Sequence, residues 1–210
     1  MRLLSSFLCG VLLFGAALSA SAQTVISRNN LFDDLDQAEK SDMTMMATRG
    51  KSDALTGFKG VVATDEAVLL QVLRPVFSGN RWVDCPQAKT ALAKGISSVS
   101  TTTGLIAVMT TGMRMDALQC GATGIPSWTA GLPQALLNIQ GRLPADFGQT
   151  RLRLSRATPD QVIQAARARV FANPDVACMA PLMFQSRQRG EAFQDAQRKA
   201  VAQCVRGRAH

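Results

Sequence analysis

Cysteine is the residue with the most specific chemistry in this 210-residue chain, in which it occurs five times. A thiol can form a disulfide bond, bind a soft metal ion or act as a nucleophile. Redox pairs are typically spaced as Cys-x-x-Cys, and this spacing does not occur in the sequence. A zinc site needs three or four protein ligands, and the only histidine is the last residue, His210. The cysteines therefore favour disulfide bonds over catalysis or metal binding.

The first residues of the chain predict export into an oxidising compartment. Arg2 precedes an apolar stretch over residues 3–18, which the small residues of Ala20-Ser21-Ala22 follow. This order is typical of a secretory signal peptide over residues 1–22, cleaved before Gln23. The stretch is short for a bilayer span, so we expect no stable membrane span after cleavage. We expect the mature protein in the periplasm or the extracellular space.

Signal removal would leave four cysteines, and an even number in an exported chain indicates disulfide bonds. Four cysteines allow three connectivities, of which chain order favours Cys85–Cys120 and Cys178–Cys204. Gly190 is the predicted turn of a helical hairpin, with Cys178 12 residues before it and Cys204 14 residues after it. At a rise of about 1.5 Å per residue the two thiols lie at nearly the same height, which suits a structural disulfide.

Catalytic motifs are scarce. A single terminal histidine excludes Ser-His-Asp and Cys-His hydrolysis, and the nucleophile-elbow, Walker and dinucleotide-binding glycine motifs do not occur. A pair of carboxylates would suffice for glycan hydrolysis. The candidates are Asp33, Asp34, Asp36, Glu39, Asp65, Glu66 and Asp84. Since carboxylates outside a motif are usually surface charge, we assign no catalytic residue and keep a carboxylate-dependent envelope hydrolase as an alternative hypothesis.

Methionine offers a second alternative, because exported copper proteins bind Cu(I) through thioether sulfurs. The sequence contains two clusters, Met43, Met45 and Met46, and Met109, Met113 and Met115. Methionine also fills gaps in apolar cores, and we favour that interpretation. We therefore assign no metal ligand and no cofactor, and a Met-based metal-binding protein stays an alternative.

The positive charge of the chain, a net of +8, is concentrated in its second half. Residues 101–210 carry 13 basic and six acidic residues, whereas residues 23–100 carry nine of each. Arginine presents a planar donor fork suited to carboxylates and phosphates. The candidates for a surface that binds an anionic partner are Arg167, Arg169, Arg187 and Arg189. A solvated helix face is the commoner explanation of such arginines. Few aromatic residues accompany them, so we expect a protein or an anionic envelope component as partner, and no nucleic acid.

The elements that carry these residues are predicted to be mainly helical. Helices are predicted over residues 31–39, 65–74, 86–94, 133–140, 159–172, 175–189 and 191–206. Serine, threonine and valine favour a strand pair over residues 96–113, although small residues also suit a buried helix. Alternating leucines predict a half-buried strand over residues 150–156, and residues 41–60 predict mostly loop.

The predicted fold is therefore mainly α with a small β element, with an α+β fold as the alternative. Its C-terminal three-helix segment includes a disulfide-stapled helical hairpin. We divide the chain into a signal peptide (1–22), a polar and partly mobile region (23–60) and one disulfide-stabilised globular domain (61–210). The favoured function is an exported binding or cell-envelope accessory protein without catalytic activity.

Overall fold

A computed structural model of the protein describes residues 30–77, 80–121 and 125–205, so the predicted signal peptide lies outside the described residues. Within these ranges the chain forms nine α-helices and no strand. The helices are α1 (Leu31–Thr48), α2 (Ser52–Phe77), α3 (Cys85–Ser98), α4 (Thr102–Met115), α5 (Leu132–Arg142), α6 (Gly148–Arg156), α7 (Pro159–Phe171), α8 (Pro174–Gln188) and α9 (Phe193–Cys204). A π-helical segment, Asp116–Cys120, continues α4 directly.

The mainly helical prediction is confirmed, and the predicted strand pair over residues 96–113 is wrong. These residues form the end of α3 and almost all of α4. Thr101 caps α4, since its Oγ1 accepts a hydrogen bond from the Gly104 amide at 3.1 Å. Gly112, in the last turn of α4, is so close to Trp128 that a Cβ there would overlap the indole ring. The small residues thus allow close helix packing, which overrides their strand propensity.

The predicted strand over residues 150–156 is also wrong, because this segment forms α6. Asp42 of α1 accepts hydrogen bonds from the Thr150 amide at 2.8 Å and the Thr150 hydroxyl at 2.7 Å. These bonds satisfy donors in the first turn of the helix. Because Asp42 lies 108 positions before Thr150, the local sequence around α6 does not indicate this cap.

The prediction of loop over residues 41–60 is wrong too. Helix α1 continues to Thr48, and α2 begins at Ser52 after a turn in which Gly50 has a φ of +72°. Met46 and Phe58 are buried in the core, and most of the polar residues around them lie on the exposed face of each helix, apart from the buried Asp42. The division of the chain at residue 60 stays a prediction.

One apolar core extends through the helices from α1 to α8. Its largest fully buried side chains include Trp128, Phe32 and Phe147, and the Phe147 ring lies 4.4 Å from that of Phe58. A smaller cluster around Met183 joins α8 to α9. No helix within the described ranges is long and apolar enough to cross a membrane.

The structure contains both predicted disulfide bonds. Cys85 at the start of α3 is bonded to Cys120, with a Cα–Cα distance of 5.9 Å, and Cys178 of α8 is bonded to Cys204 of α9, at 5.7 Å. Gly190 has a φ of +71° in the turn between α8 and α9, as the hairpin geometry predicts. Each bond closes a loop whose chain entropy corresponds to about 3–4 kcal/mol of stabilisation.

Candidate ligand-binding groove

Two of the four predicted arginines are engaged in the fold. Arg187 is half-buried, donates hydrogen bonds to the carbonyl oxygens of Gln119 and Val83, and lies over the Trp82 ring at 5.4 Å from its centroid. It therefore connects α8 to the backbone just before Cys85 and just before Cys120.

Arg189 lies at the surface in an ion pair. Its Nε is 2.9 Å from Glu191, which also accepts a hydrogen bond from Lys199 at 3.0 Å. The Lys199 hydrogen bond in particular lowers the pKa of the Glu191 carboxyl. The local positive charge is thus partly balanced within the hairpin.

The other two predicted arginines lie on α7 and border separate cavities. Arg167 is half-buried and lines a cavity of about 30 Å³ beside Asp116. Arg169 is exposed and lines a cleft of about 250 Å³ between α4, α7 and α8. One anionic-partner surface formed by the four arginines therefore stays a prediction, and Arg169 alone among them borders the larger cleft.

Helices α2 and α4 lie side by side and run in the same direction. At the start of α4, the amides of Ser100 and Thr101 both donate to Asp65 of α2 at 2.8 Å. Further along, Leu69 of α2 and Val108 of α4 are neighbours, because a Cβ on Gly95 would contact both. Increasing residue numbers on one helix therefore match increasing numbers on the other.

The exposed side of this helix pair is an open apolar groove of about 620 Å³, here called the slot. It is lined by Glu66, Leu69, Leu70, Leu73, Arg74, Ala107 and Thr111. Leu69 and Leu73 are 5% and 9% exposed, so they also belong to the core, whereas Leu70 is 66% exposed. A large exposed leucine beside a concave apolar surface is typical of a binding site.

The cleft that Arg169 borders adjoins the slot, because Thr111 lines both cavities. We call this second cavity the basic cleft. It is lined by Thr110, Thr111, Arg114, Arg169, Val170, Asn173 and Val176. Arg114 and Arg169 are both exposed, and neither is in a salt bridge or side-chain hydrogen bond with the part of the chain that the structure describes. The slot therefore leads to two guanidinium groups whose charge is not balanced by an ion pair.

Sequence reasoning missed Arg114 and the leucines of the slot. One signal was present, since Leu69 and Leu70 are adjacent and successive helical residues point about 100° apart. One of the two therefore tends to lie at the edge of the apolar face, where it can be exposed. Arg114 had no local signal, because its proximity to Arg169 depends on the packing of α4 against α7.

Several of the candidate carboxylates have structural roles. Asp65 is 4% exposed and accepts four hydrogen bonds from Ser100 and Thr101. Asp84 caps α3 by accepting from the Gln87 amide at 3.0 Å. The others lie on α1, apart from Glu66, which lines the slot.

A further buried carboxyl, that of Asp116, lies in the π-helical segment. Its Oδ2 accepts a hydrogen bond from the Trp128 indole at 2.9 Å, and its Oδ1 has no partner among the described residues. Burial raises the pKa of this carboxyl, against the opposing effect of the Trp128 hydrogen bond. The adjoining cavity of about 30 Å³ has room for one water molecule and is too small for an organic substrate.

The two methionine clusters lie mostly in the core. Met46, Met109, Met113 and Met115 are at most 3% exposed, and Met43 packs against them. Their burial agrees with the interpretation as gap-filling side chains. Among the described residues, histidine, cysteine and carboxylate side chains form no group of three or more arranged to hold a metal ion.

Comparison with known proteins adds no further constraint on the function. The chain matches no protein-family model, and neither the curated proteins nor the solved structures include a significant match to it.

Proposed function

We propose that this protein is an exported, disulfide-stabilised binding protein that holds an apolar group of its ligand in the slot between α2 and α4. The observation that carries the proposal is the slot itself, a cavity of about 620 Å³ lined by Leu69, Leu70 and Leu73. Cavities of about 300–1,000 Å³ with mainly apolar linings are typical of small-molecule sites.

The walls of the slot are held in place before any ligand binds. Asp65 fastens α2 to the start of α4 through four hydrogen bonds, and Leu69 and Leu73 are anchored in the core. A preformed site loses little conformational entropy on binding, which favours affinity.

Export is supported by two independent features. The two disulfide bonds are of the kind that persists in oxidising compartments. The apolar stretch over residues 3–18 and the small residues before Gln23 have the order of a signal peptide. Protein recovered from the compartment of residence should therefore begin at Gln23, which N-terminal sequencing measures.

Titration with N-phenyl-1-naphthylamine, whose fluorescence rises in apolar surroundings, tests the slot. Leu70→Glu places a charge in the slot and should weaken binding of this probe about tenfold or more. Leu137→Glu is the matched control, because Leu137 of α5 is 61% exposed and lies outside the slot. Equal probe affinity for the two variants, with both folded by circular dichroism, would refute the proposal.

A further inference from the structure

We infer that the ligand of the slot is a single-chain lipid with an anionic headgroup, whose chain lies against Leu70 and whose headgroup lies between Arg114 and Arg169. This inference rests on the proposed function and adds the chemical class of the ligand. Its three supports are the polarity along the slot, the unbalanced charge at one end, and the apolar lining between the ends.

The slot has two chemically different ends. Because α2 and α4 run in parallel from the contact of Asp65 with Thr101, residues nine or ten positions later are about 14–15 Å further along both helices. Arg74 and Thr111 therefore lie at the same end of the slot, next to the basic cleft. Glu66 lies at the opposite end, where its carboxylate would repel an anion. An anionic amphiphile would consequently bind in one direction.

The basic cleft has the donors that an anionic headgroup requires. Arg114 projects from α4 and Arg169 from α7, and their guanidinium groups are in no ion pair with a described residue. Guanidinium groups bind carboxylates and phosphates through paired hydrogen bonds. By contrast, Asn173 is already engaged, since its side chain accepts from the Asp175 amide at 2.9 Å. The anionic headgroup is therefore recognised by charge from Arg114 and Arg169, with Arg74 at the same end of the slot.

The lining between the two ends favours an acyl chain over an extended peptide. The side chains there are leucine and alanine, which offer no hydrogen-bond partners. A peptide strand in the slot would leave backbone amide and carbonyl groups desolvated and unpaired, at a substantial free-energy cost. A hydrocarbon chain has no such groups, so the slot and the basic cleft together fit a lipid.

Three amphiphiles with the same chain and different heads test this inference. Dodecanoate, dodecanol and dodecyltrimethylammonium are titrated, below their aggregation thresholds, into the full protein loaded with the naphthylamine probe, at mildly alkaline pH. We expect dodecanoate to displace the probe at about ten- to hundredfold lower concentration than dodecanol, because its carboxylate bonds to guanidinium groups. Dodecyltrimethylammonium should be the weakest of the three.

Variants assign the selectivity to the basic cleft. Arg114→Gln combined with Arg169→Gln should weaken dodecanoate binding about tenfold, toward the level of dodecanol, and leave dodecanol binding unchanged. Arg142→Gln is the matched control, because Arg142 is an exposed arginine on α5 that lines neither cavity. Leu70→Glu should weaken the binding of both dodecanoate and dodecanol.

Each contrary result has a distinct meaning. Equal affinity for dodecanoate and dodecanol, unaffected by the arginine substitutions, would overturn the anionic headgroup and leave the apolar slot standing. Displacement by a synthetic amphipathic peptide but by none of the three amphiphiles would assign the slot to a protein partner and overturn the lipid. No binding of the probe or of any amphiphile would overturn the proposed function as well.

Discussion

Glu39 is buried at the contact between α1 and α4, and its substitution by glutamine should stabilise the protein in a pH-dependent way. The residue is 6% exposed, and its Oε1 accepts a hydrogen bond from the Thr103 hydroxyl at 3.2 Å. Its Oε2 has no partner in the part of the chain that the structure describes. Burial raises the pKa of the Glu39 carboxyl to about 7, with smaller contributions in the same direction from Asp36 and Asp42 and an opposing one from Thr103.

The size and sign of the effect follow from the two pKa values. A carboxyl with a pKa of 4.5 in the unfolded chain and about 7 in the folded protein binds its proton more tightly when folded. Between these values the unfolded state binds fewer protons, so the free energy of unfolding falls as the pH rises. Above about pH 7 the decrease in the free energy of unfolding is complete and is on the order of 3 kcal/mol. Glu39→Gln keeps the shape of the neutral carboxyl and cannot ionise, so it escapes this loss.

Urea unfolding at about pH 5 and about pH 8 measures the effect. The stability advantage of Glu39→Gln over the wild type should grow by about 2–3 kcal/mol between these two conditions. Glu66→Gln serves as the control, because Glu66 is exposed and should show no comparable change. An advantage of Glu39→Gln that does not depend on pH, or a loss of stability at the higher pH, would refute the argument.

Three further variants test the packing and the hairpin. Gly112→Ala should destabilise the protein by about 1–3 kcal/mol, because its methyl group would overlap Trp128. Gly57→Ala should instead stabilise it by about 0.5–1 kcal/mol, since Gly57 is within α2 and a Cβ there meets nothing within 4 Å. Chemical denaturation measures the free energy of unfolding of both variants. Equal changes in the two would contradict the close contact between Gly112 and Trp128. Replacing Cys178 and Cys204 together by serine should lower the free energy of unfolding by about 3–4 kcal/mol, and a thermal midpoint equal to the wild type would show that the bond does not stabilise the hairpin.

Elements with complete local signals could be predicted from the sequence. Helix α7 begins where Thr158 and Gln161 form a capping box, and both of its hydrogen bonds are present in the structure. Gly190 adopts a positive φ in the turn between α8 and α9. In both cases the residues that determine the structure are within a few positions of each other, so propensity and spacing suffice.

Elements held by distant partners could not be predicted in this way. The start of α4 is held by Asp65, 35 positions before Ser100, and the start of α6 by Asp42, 108 positions before Thr150. The serine and threonine residues around the start of α4 favoured a strand, and so did the alternating leucines of α6. Tertiary contacts override this local preference, because buried carboxylates accept hydrogen bonds from amides just before α4 and in the first turn of α6.

The slot could not be predicted from local sequence patterns either, because it depends on how Asp65 of α2 holds the start of α4. A buried carboxylate is costly unless hydrogen-bonded, and the four donors of Ser100 and Thr101 offset the cost of burying Asp65. Those bonds fix the position of α4 along α2. Thr111 then lies beside the last leucine of the slot, Leu73, and Arg114 lies at the edge of the basic cleft. Because a slip of one residue would rotate α4 by about 100° and move Arg114 away from Arg169, the hydrogen bonds of Asp65 contribute both to the stability of the helix pair and to the geometry of the proposed lipid site.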